Sequence, residues 1–202
     1  MCVPEEAYAA AVRSIFSNAD YSGAATRYKN PQECWTRFEA LLDRLGRPGA
    51  ALHVVHIAGT NGKGTTSALC EAMLRESGVR VGLFTSPHLH CFRERIRIDG
   101  ALVSREAVVA GMARVSAAAE AVGGASPFEK LTALALLCFD AAGVSWAVLE
   151  TGLGGRCFHA PRAAHITAAA AAAAPESSTA AAESSPLRTP VRVPPHAPLP
   201  AA

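Results

Sequence analysis

Lys63, Ser86 and Glu150 are the residues whose types and surroundings suit chemistry on a phosphate group. Lys63 lies in Gly59-Thr60-Asn61-Gly62-Lys63-Gly64-Thr65, where three glycines fall within six residues. Such a turn lets backbone N–H groups converge on an anion, and the ammonium adds positive charge beside the phosphate oxygens. The generic phosphate-loop pattern wants a glycine five positions before the Gly-Lys pair and a Ser or Thr after the lysine. Ile57 and Gly64 stand there instead. A glycine-rich turn with a solvated lysine is the plainer alternative, and the apolar run in front of the loop argues against it. Glu150 closes another apolar run, Val144-Ser145-Trp146-Ala147-Val148-Leu149. A carboxylate there suits a magnesium–nucleotide site, because Mg²⁺ takes one or two protein oxygens and fills its shell with phosphates and water. The plainer reading is a surface or capping acid, but Gly152-Leu153-Gly154-Gly155 lets other groups approach closely. Since Gly64 replaces the usual hydroxyl, another hydroxyl must reach the metal, and Ser86 is the candidate.

These residues need elements to hold them. His53 to Ala58 reads as a buried parallel strand feeding the loop, and Thr65 onward as a helix ending at the Gly78 cap. Val81-Gly82-Leu83-Phe84 reads as a second strand, delivering Thr85-Ser86-Pro87-His88-Leu89-His90 at its carboxyl end. In an open parallel sheet that edge is where ligands sit. Arg95 to Val103 alternates and turns at Asp99-Gly100, the pattern of a hairpin. Ser104 caps a helix through about Val122, and Ser126-Pro127-Phe128-Glu129 opens another. Residues 5–17 and 31–46 read as helices. The second carries a packing stripe of Trp35, Phe38, Leu41, Leu42 and Leu45, with Pro31 at its start and Gly46 at its end. Tyr21 to Asn30 has no assignment. The rhythm is βαβαβ, an α/β fold with a phosphate-loop-bearing parallel sheet and crossover helices.

The 202 residues are 50% hydrophobic and 18% charged, enough for one domain with a core plus a tail. A formal charge of +2 gives no argument for nucleic acid or an anionic membrane as partner. The longest apolar run is too short and too interrupted to span a bilayer. Cys2, Cys34, Cys70, Cys91, Cys138 and Cys157 form no C-x-x-C pair, zinc spacing or disulfide framework, which fits a reducing compartment. Cys70 and Cys138 fall in apolar helical stretches, where a thiol is a small hydrophobe. The amino terminus shows neither a signal-peptide pattern nor an evident transit peptide. All 16 glycines lie at or before Gly155, and 8 of 13 prolines lie from Pro161 onward. Ala168 to Ala174 is unbroken alanine. The expected organisation is therefore a phosphate-loop domain over 1–156 and a low-complexity Ala/Pro/Ser-rich tail over 157–202. The tail reads as disordered, with a short helix over the alanines as an option.

Four motifs in order, GTNGKGTT, LFTSPHL with RERIRIDG, SPFEKLTALALLCF and AVLETGLGGR, resemble the folylpolyglutamate synthase/dihydrofolate synthase family of Mur-ligase-like ATP-dependent amide ligases. The likeness runs from roughly Trp35 to Arg156, and the family's phosphate loop has glycine after the lysine. The resemblance implies a truncated Mur-ligase ATPase domain, which makes 1–156 an ATP-binding domain. Its chemistry would be ATP-dependent activation of a dihydropteroate or reduced-folate carboxylate as an acyl phosphate, then attack by the amine of L-glutamate. It implies ATP and Mg²⁺ as cofactors, Gly59 to Thr65 as the ATP loop with Lys63 catalytic, and Ser86 and Glu150 on the metal. His88, Arg95, Phe128 and Glu129 would lie along the substrate. A monomer in the cytoplasm, or in a mitochondrion or plastid, is expected. The sequence departs after Arg156: Cys157-Phe158-His159-Ala160 stands where the family has an Asp-Ala-Thr-Asn type sequence. His165 in AAHITAAA resembles the next strand, but no Gly-x-Asp-His follows. A later metal histidine, a modified lysine and a carboxy-terminal domain have no counterpart, so little or no ligase activity is expected of the chain as written. Its alternative is a non-catalytic nucleotide-binding module with a partner-recruiting tail; a small phosphate-loop kinase is a third reading, which TSPHL and GLGGR do not support.

Overall fold

The computed structural model describes residues 3–17, 31–152 and 165–170, all within one compact unit, Met1–Ala172. The connection from Tyr21 to Asn30, the Leu153–Arg156 part of the glycine motif and most of the expected tail lie outside them. Six strands, β1 (His53–Gly59), β2 (Val81–Phe84), β3 (Ile96–Ile98), β4 (Ala101–Leu102), β5 (Trp146–Glu150) and β6 (His165–Ala170), form one sheet in the order β4-β3-β2-β5-β1-β6. β2, β5, β1 and β6 run parallel, and the β3–β4 hairpin adds antiparallel to β2. The expected turn residues make that hairpin: Asp99 and Gly100 have φ of 50° and 80°. Asp99 is also fastened from outside, since Val81 N–H donates to its Oδ1 at 2.9 Å.

Strand alternation divides the core. Val55, Ile57, Val81, Leu83 and Val148 face α3 (Lys63–Glu76), where Cys70 and Leu74 meet them. Val54, Phe84, Ala147 and Leu149 face the opposite way, toward α1 (Glu5–Phe16), α2 (Pro31–Arg44), α4 (Arg105–Ala121) and α5 (Pro127–Ala141). This split follows from connectivity. The chain passes from β1 over β5 to β2, then steps back to β5, so right-handed crossovers put the two connections on opposite faces. α5 is the central helix, with every residue from Lys130 to Phe139 buried. A helix apolar on all sides belongs in that place. Its one buried ammonium, Lys130, donates to the Ser14 carbonyl near the carboxyl end of α1 at 3.0 Å, and burial lowers its pKa. Phe38, Leu41, Leu42 and Leu45 of the stripe on α2 are buried core as expected, while Trp35 is half-buried, and Gly46 at φ 85° ends the helix. Cys138 behaves as the small hydrophobe read from the sequence; burial pushes its thiol up to about 12.

Ala168 to Ala170 differ from the helix that alanine propensity suggests. Their backbone is extended, and His165–Ala170 pairs in parallel with Val54–Gly59. Without β6, β1 would leave a row of unpaired N–H and C=O groups. Satisfying a ladder there outweighs a per-residue helix preference of a few tenths of a kcal/mol. Among the described residues no helix is long and apolar enough to cross a membrane.

Candidate phosphate-loop site

β1, β2 and β5 end at the same edge of the sheet. Their register sets Ile57 beside Glu150 and Phe84 beside Leu149, so the loops after β1 and β2 flank the end of β5. Gly62, at φ 75°, is the N-cap of α3, and Thr66 N–H donates to its carbonyl at 2.9 Å. The helix therefore starts at Lys63, two residues earlier than its sequence pattern suggests. α4 and α5 are capped by the hydroxyls of Ser104 and Ser126, which accept from Ala107 and Glu129 N–H. α3 has no side-chain cap and no acid in its first turn. Its leading N–H groups and the positive end of its dipole thus suit an external anion. Lys63, half-buried, folds its Nζ back to the Thr60 carbonyl at 3.5 Å, within its own loop.

Glu150 is 4% exposed, and its carboxylate meets both loops. Oε2 accepts from Ser86 N–H at 2.8 Å. On the other side, a Cβ added at Gly64 would lie 3.8 and 3.9 Å from the two carboxylate oxygens. Gly64 therefore brings the first turn of α3 directly against the acid, in the place where the generic pattern carries a hydroxyl. Lys63's helix, Ser86 and Glu150, far apart in the chain, are brought together. A buried carboxylate beside a serine, facing a helix start, supplies the hard oxygen donors that fit Mg²⁺ when phosphate oxygens and water complete its shell.

Of the remaining candidates, Phe128 borders this centre. The Phe128 ring leans on Phe84, with centroids 5.8 Å apart, and covers the turn after Glu150: a Cβ at Gly152 would lie 2.9 Å from it. Gly152 is thus a close-approach glycine, as its motif suggests. Glu129 enters through Phe128. Its oxygens accept from Ser126 N–H at 2.6 Å and from Arg37 Nη2 at 2.9 and 3.0 Å, which fixes the first turn of α5. His88 and Arg95 meet each other. Arg95 Nε donates to His88 Nδ1 at 2.8 Å, which leaves the ring proton on Nε2, and burial lowers the Arg95 pKa.

Glu94 and Arg37 carry no role in the sequence reading. Glu94 accepts from Leu89 N–H at 2.8 Å, His90 N–H at 3.0 Å and Cys91 N–H at 2.8 Å. The amides of Leu89 and Cys91 are the main reason its carboxyl falls to about 2. A run of acid and base, Arg93-Glu94-Arg95, is the sole local signal. Because the folded pKa is depressed, the contribution of these bonds is complete above the ordinary carboxylate range near pH 4 and is lost as pH falls through about 2. The Leu89, His90 and Cys91 amide resonances are expected to hold their shifts on acidification to about pH 4. Movement of all three near neutral pH, in an NMR titration, would contradict these bonds. A shallow apolar groove of about 300 Å³, lined by Ile98, Leu102, Val103 and Cys138 among others, contains none of the candidate residues.

Fold and site together define a phosphate-loop α/β domain, with a buried acid at the end of the strand beside the loop. No protein-family model matches the chain. Over its amino-terminal part the chain is similar to folylpolyglutamate synthase/dihydrofolate synthases, in agreement with the four motifs. It is 48% identical over 119 residues to a probable bifunctional folylpolyglutamate synthase/dihydropteroate synthase of Haloferax volcanii, covering 57% of this chain and 14% of that protein. It is 41% identical over 126 residues to the dihydrofolate synthase/folylpolyglutamate synthase of Bacillus subtilis, covering 59% of this chain and 29% of that one. The Escherichia coli FolC solved with DHPP and ADP superposes with a TM-score of 0.56 at 38% identity, over 60% of this chain and 29% of that one. The chain thus spans less than a third of the length of these relatives.

Proposed function

We propose that this chain carries the nucleotide-binding part of an ATP-dependent acid–amino-acid ligase of folate metabolism. The observation that carries this reading is the meeting of Gly64 and Ser86 on the buried carboxylate of Glu150, beside the Lys63 loop. The relatives named as folylpolyglutamate or dihydrofolate synthases, and ADP with DHPP in the Escherichia coli protein, support it. Lys63 and the amides opening α3 hold the β- and γ-phosphates of ATP. Glu150 and the Ser86 hydroxyl are the residues that would hold Mg²⁺, which when bound neutralises charge on the transferring phosphoryl group. His88, Arg95, Phe128 and Glu129 line the side taken by dihydropteroate or a reduced folate. The γ-phosphoryl passes to the substrate carboxylate, and ADP leaves. The amine of L-glutamate attacks the resulting acyl phosphate, releasing phosphate and forming the amide. Positioning and charge neutralisation supply most of the acceleration in such transfers. The chain works as a monomer in the cytoplasm or an organelle.

The test is calorimetric titration with a non-hydrolysable ATP analogue with and without MgCl₂, followed by ADP release on adding dihydropteroate and L-glutamate. Binding strengthened by magnesium is expected; no nucleotide binding would end this reading. Binding that Lys63→Ala abolishes, without ligation and with a partner that depends on the tail, favours the non-catalytic module; binding without ligation alone is what a truncated ligase gives. Glu150→Gln keeps the side-chain size and removes the charge. Magnesium-dependent tightening is expected to fall about 10- to 100-fold, with metal-free binding unchanged. Equal magnesium enhancement in the variant and the parent would remove Glu150 from the metal site.

A further inference from the structure

The loop from Thr85 to Cys91 carries Ser86 and His88, yet it contains no regular secondary structure. Irregular chain at a strand end stays in one place only if burial or hydrogen bonds fasten it. Burial does not hold its tip. Leu89 is 84% exposed, more than any other large hydrophobic residue among those described. Hydrogen bonds do, and they converge on two adjacent residues. Glu94 takes the three consecutive amides of Leu89, His90 and Cys91 on its two oxygens. This is a backbone nest whose anion comes from the chain itself. Arg95 accepts from Thr85 N–H through its carbonyl at 3.0 Å and donates from Nε to His88 Nδ1. Phe92, 5% exposed, anchors the same short 3₁₀ turn, Phe92–Arg95, in the core and meets the His88 ring edge-on at 6.3 Å.

We propose that Glu94 is a positioning residue, a latch whose carboxylate holds the Leu89–Cys91 amides and so fixes the loop that carries His88 and Ser86, the latter bonded to Glu150. The latch itself stands on hydrogen-bond geometry; its effect on a folate-type ligand rests on the function proposed above. None of the described hydrogen bonds of Glu94 reaches the Gly59–Thr65 loop, so the latch acts on the loop after β2 and leaves the phosphate loop itself alone.

The experiment uses the full chain in parent, Glu94→Ala and Glu94→Gln forms. Without ligand, hydrogen exchange at Leu89, His90 and Cys91 is expected to quicken at least about tenfold in Glu94→Ala, with β1, β2 and β5 unchanged. Glu94→Gln keeps one acceptor oxygen and falls between. With ligand, dihydropteroate affinity falls about tenfold, the scale of a lost hydrogen bond to a charged group, while affinity for the ATP analogue without magnesium stays at the parent value. Unchanged exchange at the three amides overturns the latch. Faster exchange with no selective loss of dihydropteroate binding overturns its positioning role. If Glu94→Ala loses protection across the whole sheet, Glu94→Gln decides by the same criteria. A parent chain that binds neither ligand fails the functional reading, while the exchange measurements still decide the latch.

Discussion

Lys63→Ala lowers affinity for a non-hydrolysable ATP analogue by on the order of 100-fold, the worth of one or two charge-assisted bonds to phosphate. The argument is that Lys63 does little else. Lys63 is half-buried, and its one described hydrogen bond is a 3.5 Å contact with the Thr60 carbonyl of its own loop. Removing such a group costs the fold almost nothing, so the thermal midpoint should stay within a degree or two of the parent. The helix it opens lacks the serine cap that α4 and α5 carry, and its leading amides remain for the nucleotide. Lys63→Arg keeps the charge on a longer fork and should retain most of the affinity. Calorimetric titration of the three proteins decides it. Equal affinity in all three would mean that phosphate does not sit on this loop.

The second large effect is on stability and concerns the contact that seats α5 on the sheet. Gly82 on β2 faces Phe139, and a Cβ at Gly82 would lie 2.5 Å from the Cδ1 and Cε1 atoms of that ring. Phe139 is fully buried, and its rigid ring has no free space to turn into. Phe139→Ala is expected to cost about 3–5 kcal/mol through lost burial and the cavity left behind. Gly82→Ala forces the helix off the strand and costs about 1–3 kcal/mol or more. In Gly82→Ala/Phe139→Ala the new methyl enters the space the ring vacated, so the double variant should be more stable than the sum of the single losses predicts, by about 0.5–3 kcal/mol. Urea unfolding of the four proteins measures this, and strict additivity would contradict the contact. The consequence reaches the site, because α5 also carries Phe128 against Gly152.

Several parts of this molecule are set by neighbours in the chain, and these the sequence determined by itself. The apolar run His53–Ala58, the glycines that follow, the serine caps at Ser104 and Ser126 and the Asp99-Gly100 turn each act over a few residues. Their periods and backbone preferences survive whatever surrounds them. Lys63 within a glycine turn and Glu150 at a strand end were legible for the same reason. Only the tertiary structure decided which strand lies beside which. Inserting β5 between β1 and β2 brings Ser86 N–H onto a carboxylate 64 residues away and Gly64 against its other side. The Arg37–Glu129 pair, 92 residues apart, and the extended alanines of β6 belong to the same category. Long-range pairing is chosen by summed burial and ladder hydrogen bonds across the whole sheet, and no local window contains that sum. Glu94 stands between the two. Its bonds span only three to five residues, but it takes a folded strand end to bring three amides onto one carboxylate.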